Sequence, residues 1–213
     1  MSKGLANVIT DCGDLALLLP LAAILAFVLW RFESRAASIA WLQALAVCFV
    51  TTFLLKMVFL TCGHTWGVNI LSPSGHASMS TAVYGGLTIV IARQFTRWRL
   101  AIVVCGVMLI AAIALTRTAL HVHNQAEVAI GLGVGLISLS VFAWRYLQLP
   151  GHKFNLPWLG ASAVCAFAVL YGTRLPVEGF LYKFSHSIRD NTLVCHTVGA
   201  TGLSRFSASI SDH

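Results

Sequence analysis

The sequence predicts an all-α membrane protein, a polytopic helical bundle of about six transmembrane helices, on three observations. Hydrophobic residues make up 58% of the 213 and charged residues only 10%, against about 25% charged in an ordinary soluble domain. The apolar residues gather into runs close to or above the length needed to cross a hydrocarbon core of about 30 Å, about 17–25 helical residues each. The Lys and Arg residues concentrate in alternate loops, as the positive-inside rule requires.

The first run, Leu15 to Trp30, is followed by Arg31 and Arg35. A cleaved signal peptide carries its positive charge before the apolar run and small residues after it. The run is therefore read as a retained helix with its N-terminus outward. Ile39 to Leu60, Ala77 to Ala92, Leu100 to Thr116, Ala126 to Trp144 and Leu156 to Gly172 supply the other five. Loops after the first, third and fifth runs hold Arg31, Arg35, Arg93, Arg97, Arg99, Arg145 and Lys153 and read as cytoplasmic. The loop after the second run has no Lys or Arg, and that after the fourth has only Arg117, so both read as extracytoplasmic. The tail carries Arg174, Lys183, Arg189 and Arg205 on the outer side, where long segments weigh less in this rule. With no linker or repeat before Gly172, residues 1–172 read as one six-span membrane domain, and 173–213 as an extracytoplasmic tail or small cap. The expected location is a cytoplasmic (inner) membrane, with the chemistry facing the periplasm or another extracytoplasmic space.

The formal charge of +7 follows the loops and does not cluster as a nucleic-acid reader needs, so nucleic acid is set aside. Membrane lipids are the expected partners, with inner-leaflet anionic headgroups near Arg93, Arg97 and Arg99. Cys48, Cys105 and Cys165 fall within runs, where a thiol packs as a small apolar group. Cys12, Cys62 and Cys195 fall on the outer side, where a disulfide is permitted. No Cys-x-x-Cys pair occurs.

Polar and ionisable residues at membrane depth are functional candidates by default. Lys56 lies about one turn before the outward end of the second run; alone, it would be a snorkelling lysine. Pro73-Ser74-Gly75-His76 opens the third run. Ser74 alone would be a helix cap, but the free N–H groups and dipole of a first turn also bind anions, and a histidine stands beside them. Between the fourth and fifth runs, "TRTALHVHNQAEVAIG" holds Arg117, His123 and Glu127. A spacing of four puts His123 and Glu127 on one helical face, where the carboxylate can hold one ring nitrogen and aim the other. Glu127 is the only acidic residue between Glu33 and Glu178. Two histidines, two cations and a helix start at outward ends are the parts for phosphoryl transfer: a nucleophile, an acid and positive charge around the phosphate oxygens.

These residues resemble the type 2 phosphatidic acid phosphatases, or lipid phosphate phosphatases, which share their site with vanadium-dependent haloperoxidases. That family's pattern is Lys, six residues, Arg-Pro; then Pro-Ser-Gly-His; then Ser-Arg, five residues, His, three residues, Asp. The second block is intact, and the third matches in spacing with Thr116 for Ser and Glu127 for Asp. The first departs: Gly63-His64 stands where Arg-Pro is expected after Lys56. The resemblance implies that His123 attacks phosphorus, Glu127 orients it, and His76 protonates the leaving alkoxide and then activates water. It implies that Lys56, Ser74, Gly75 and Arg117 bind phosphate oxygens, with His64 a possible substitute for the missing arginine. It further implies a phosphoric-ester hydrolase acting on a lipid phosphate or pyrophosphate, without metal or other cofactor. Three alternatives stand beside it: a non-catalytic lipid-phosphate binder or transporter, a lipid phosphotransferase, and a zinc enzyme using His121, His123, His64, His76 and Glu127.

Overall fold

The computed structural model describes residues 3–62, 72–151, 156–170, 172–173, 179 and 181. Seven α-helices run among them: α1 (Lys3–Asp11), α2 (Leu15–Val28), α3 (Arg35–Cys62), α4 (Gly75–Gln94), α5 (Arg99–Ala119), α6 (Gln125–Gln148) and α7 (Leu156–Leu170). No strand occurs among the described residues, so the chain is an all-α bundle. It divides into two compact units, residues 1–52 with 73–175, and residues 53–72 with 176–213.

Four segments are long and apolar enough to cross a membrane: Gly4–Glu33, Arg35–Thr61, Thr96–Ala119 and Gln125–Gln148. Two of the six expected runs fall outside this set for different reasons. The last is described over α7 alone, 15 residues, and residues 152–155 and 171 that flank it lie outside the described residues. The third forms α4, which is long enough but rich in Gly, Ser and Thr. That composition suits its place. Ala77 through Val83, Gly85, Gly86, Val90 and Ala92 are all buried, and α2, α5 and α6 pack around the helix. A helix enclosed by protein needs small residues for close approach more than it needs apolar surface. Helix α5 shows the converse: Leu100, Val104, Val107, Met108 and Leu115 are exposed, as side chains facing lipid must be.

Small side chains on α4 let its neighbours come close. A Cβ at Gly86 would overlap the Trp41 ring, and one at Gly135 would lie 2.6 Å from the Ser78 carbonyl. The Trp41 indole N–H, buried there, donates to Ala22 O at 3.0 Å, and its ring meets Phe142 edge-on at 5.1 Å. Thr52 Oγ1 donates to Ser78 Oγ at 3.0 Å, fixing α3 to α4. Each of these buried polar groups finds a partner across a helix seam, as the membrane setting demands.

At the end of the bundle formed by the C-termini of α4 and α6, α2 runs into a π-helical turn, Leu29–Glu33, closed by Ser34 N–H to Leu29 O at 2.8 Å. The turn carries Glu33 inward. Tyr146 Oη donates to Glu33 Oε2 at 2.9 Å, and Arg93 Nη1 stands 3.7 Å from Glu33 Oε1. Arg93 also donates to the Tyr146 carbonyl at 2.8 Å and to the Leu149 carbonyl, satisfying the last turn of α6. Its guanidinium lies 4.7 Å from the Tyr146 ring centroid. Of the three arginines expected to meet headgroups, Arg93 is therefore taken up inside the fold; Arg97 and Arg99 are exposed. Among the cysteines, Cys48 is buried, Cys105 and Cys165 are exposed on helix faces, and Cys12 is a free thiol. The Cys62 side chain and Cys195 lie outside the described residues.

Candidate active site

The opposite end of the first unit gathers the N-termini of α2, α4 and α6 with the C-terminus of α5. A small core of Ala77, Ala114 and Val128, with Leu132 against it, ties α4, α5 and α6 together there. Each of these residues is a near neighbour in sequence of a candidate: His76 precedes Ala77, Arg117 lies one turn beyond Ala114, and Glu127 precedes Val128. The hydrophobic contact therefore sets where the polar side chains stand.

Ser74 is the N-cap of α4; its Oγ accepts from Ala77 N at 3.4 Å. Its own N–H donates to the Glu127 carbonyl at 3.0 Å, joining the Pro-Ser-Gly-His turn to the first turn of α6 by backbone alone. Gly131 makes that join possible. A Cβ there would lie 2.5 Å from the Ser74 carbonyl oxygen and 3.2 Å from the Ala77 Cβ. Backbone cannot swing aside as a flexible side chain can, so Gly131→Val must push α6 off α4. We expect it to destabilise the fold by about 3 kcal/mol, the cost of overpacking a tight contact. Gly133, where a Cβ would meet nothing within 4 Å, is the control. Thermal unfolding in detergent should separate Gly131→Val from Gly133→Val by well over the error of the measurement; equal melting temperatures would dismiss the close approach.

The α5–α6 connection is equally determined by the backbone. The His121 N–H donates to the Thr118 carbonyl at 3.0 Å and the Val122 N–H to the Arg117 carbonyl at 3.2 Å, the paired bonds of a Schellman motif. His121 takes the left-handed conformation this requires, with φ 55°. The His123 N–H also donates to Arg117 O, at 3.3 Å. Two residues later α6 begins with a capping box. Asn124 Oδ1 accepts from Glu127 N at 2.8 Å, and Glu127 Oε2 accepts from Asn124 N at 3.2 Å. The same Oε2 lies 2.8 Å from His123 Nδ1. One carboxylate thus closes the helix start and grips the imidazole. Glu127 is 3% exposed, which a lone carboxylate would not tolerate unless so bonded.

Arg117 is buried in the last turn of α5, and its Nη1 donates to Thr10 Oγ1 at 3.1 Å. His76 Nε2 lies 3.7 Å from Asp14 Oδ2, and a Cβ on Gly13 would be 3.3 Å from His76 Cδ2. Asp14 Oδ1 meanwhile caps α2 by accepting from Ala16 N at 2.8 Å. The structure accordingly brings Ser74, Gly75, His76, Arg117, His123 and Glu127 to one end of one unit. Lys56 belongs to the other unit, near the end of α3, where its side chain is buried. His64 lies outside the described residues. Among those described, no three His, Cys, Asp or Glu side chains are grouped as a metal site needs.

Sequence reasoning missed Thr10, Asp14 and Asn124. Asn124 had a readable signal, since Asn-x-x-Glu before an apolar run is a capping box. Asp14 also stood before an apolar run, which marks a cap but not a neighbour of His76. Nothing local links Thr10 to Arg117, 107 residues away.

The comparison with known proteins bears on the region that holds the site. Residues 59–150 match the PAP2 superfamily. The PAP2 region contains the Pro-Ser-Gly-His turn, Arg117, His123 and Glu127, and it begins just after Lys56. A similar protein is an uncharacterized 22.5 kDa protein in the cps region of Klebsiella pneumoniae, 26% identical over 193 residues, covering 85% of this chain and 90% of that one. No solved structure matches. The PAP2 match supports a phosphatase-type chemistry, a phosphoric-ester hydrolase in a membrane-spanning bundle.

Proposed function

We propose that the protein hydrolyses a lipid phosphate or pyrophosphate at the extracytoplasmic face of its membrane, through a phosphohistidine and without a metal ion. The observation that carries this reading is the His123 Nδ1 to Glu127 Oε2 contact of 2.8 Å at the end of the bundle that also holds Arg117 and the Pro-Ser-Gly-His turn. With Nδ1 held in its N–H form by the carboxylate, Nε2 is the ring atom with a lone pair for phosphorus. Attack forms an N–P bond as the bond from phosphorus to the lipid oxygen breaks, and His76 gives that oxygen its proton. His76 then takes a proton from water as the water oxygen bonds to phosphorus and the N–P bond opens, returning His123 and freeing phosphate. Arg117 and the α4 start at Ser74 and Gly75 are assigned to the non-bridging oxygens, where charge is spread in the transition state. Lys56 keeps the phosphate-binding role that the family pattern implies for it. The Ser74 N–H is engaged with Glu127 O, so its hydroxyl is the donor this role requires of Ser74. An apolar, membrane-embedded bundle favours a lipid-borne phosphate over a soluble one.

Phosphohistidine is acid-labile and base-stable, so an alkaline quench tests the reading. Purified protein in detergent with EDTA is mixed with a panel of lipid phosphates, quenched within the first turnover, and its peptides are analysed by mass spectrometry. The expected result is phosphate release together with phosphate on the His123 peptide. Release that EDTA stops would remove the metal-free mechanism. Lipid binding with no release would favour the non-catalytic binder, for which the absent first-block arginine is the supporting observation.

A further inference from the structure

His76 stands next to a buried carboxylate that no part of the phosphate-binding pattern contains. Asp14 is 6% exposed; its Oδ1 accepts from Ala16 N at 2.8 Å, and its Oδ2 lies 3.7 Å from His76 Nε2. Capping explains the first oxygen. It does not explain a charge, because Asn and Ser cap a helix about as well as Asp, and a carboxylate withdrawn from water costs free energy unless it meets a cation or several donors. The second oxygen faces a ring that must carry a proton to serve as an acid. Gly13 completes the arrangement: its missing side chain leaves the turn between α1 and α2 close against Ile113 and the edge of the His76 ring. Tyr84 Oη donates to Cys12 O at 2.7 Å and fixes the same turn to α4, about two turns along the helix from His76. Three successive residues, Cys12, Gly13 and Asp14, are thus held against α4 and α5 beside the imidazole.

We infer that Asp14 is a positioning residue for His76, holding the protonated ring by charge on its Nε2 side so that the proton on Nδ1 is the one delivered to the leaving oxygen. This rests on the phosphatase reading for its catalytic consequence, but the pairing itself does not. The ring shuttles one proton, given to the leaving alkoxide and regained from water. In this respect Asp14 would stand to His76 as Glu127 stands to His123, so that each of the two histidines has its own carboxylate, one from the start of α2 and one from the start of α6.

The test is Asp14→Asn, which keeps the shape and the cap and removes the charge. Turnover of the best lipid phosphate should fall at least about 10-fold, less than the roughly 10²–10⁴-fold a general acid contributes because the acid itself is kept, with KM within about 2-fold and the melting temperature unchanged. Unaltered turnover would overturn the proposal, and so would a fall in turnover matched by a drop in melting temperature that Asp14→Ser reproduces less severely. A second readout needs no activity. Diethyl pyrocarbonate modifies neutral imidazole, so at pH 6.5 the His76 peptide should be carbethoxylated at least about 3-fold faster in Asp14→Asn than in wild type. Equal rates would refute the pairing. If the wild type releases no phosphate from any lipid, the phosphatase reading fails, and the labelling rates alone decide whether Asp14 holds His76.

Discussion

His123→Ala is expected to lower phosphate release by about 10⁴-fold or more, to the limit of detection, while the protein still folds and still binds orthovanadate. Loss of a nucleophile removes the first chemical step outright, and what is left over the solution reaction comes from the groups that bind and polarise phosphate. Folding should survive because little of the local structure depends on the ring. Glu127 keeps its bond from Asn124 N, and Arg117 O keeps the backbone N–H groups of Val122 and His123. The measurement is phosphate release beside melting temperature and vanadate affinity for both proteins. Release within 10-fold of wild type would mean that the nucleophile is another group, and His76 would be examined next.

Glu127→Gln tests a different idea, that a neutral isostere cannot do what the carboxylate does. Turnover should fall about 10³-fold, equivalent to about 4 kcal/mol of transition-state stabilisation. The capping box accepts Gln as readily as Glu, so the helix start is kept. What changes is the ring. Gln can present either an N–H or an oxygen to Nδ1, which no longer fixes the tautomer, and it offers no charge to the imidazolium-like character that develops as the N–P bond forms. Vanadate affinity should change by no more than a few-fold, because Glu127 is directed at His123 and Asn124 and not at the anion. If binding and turnover fell together with the melting temperature, the carboxylate would be a cap and nothing more.

The fold was largely legible because hydropathy is a direct readout of contact with lipid. It was least legible where a helix is enclosed by protein: α4 reads in the sequence as an apolar run a little short of a span, because its Gly, Ser and Thr content lowers its apolar signal. Helix α1 was missed because nine residues with buried positions only one turn apart, Ala6 and Thr10 inward and Leu5 and Val8 outward, do not form an apolar run. The site was legible to the extent that its residues share a short stretch of chain. Spacing brought His123 to Glu127, and the family pattern linked both to His76 and Arg117. Thr10 and Asp14 reach their partners only through tertiary packing, and no period or motif in one sequence encodes that. Lys56 shows a different limit, since the pattern assigns it a role while its place in the structure belongs to a separate unit.

The Schellman turn after α5 also explains why the gap between Arg117 and His123 is five residues long. The Arg117 carbonyl is bonded to Val122 and His123 N–H groups, so the interval is a closed ring of fixed size, comparable to a ruler laid between cation and nucleophile. Side chains along the ruler are open to change, and His121 at its left-handed position could be replaced by glycine with relief of conformational cost. Its length is not. Inserting or deleting one residue from Thr118 to Val122 would break the ring and turn the imidazole away from its carboxylate, so sequence drift in this segment should accumulate as substitutions and never as gaps.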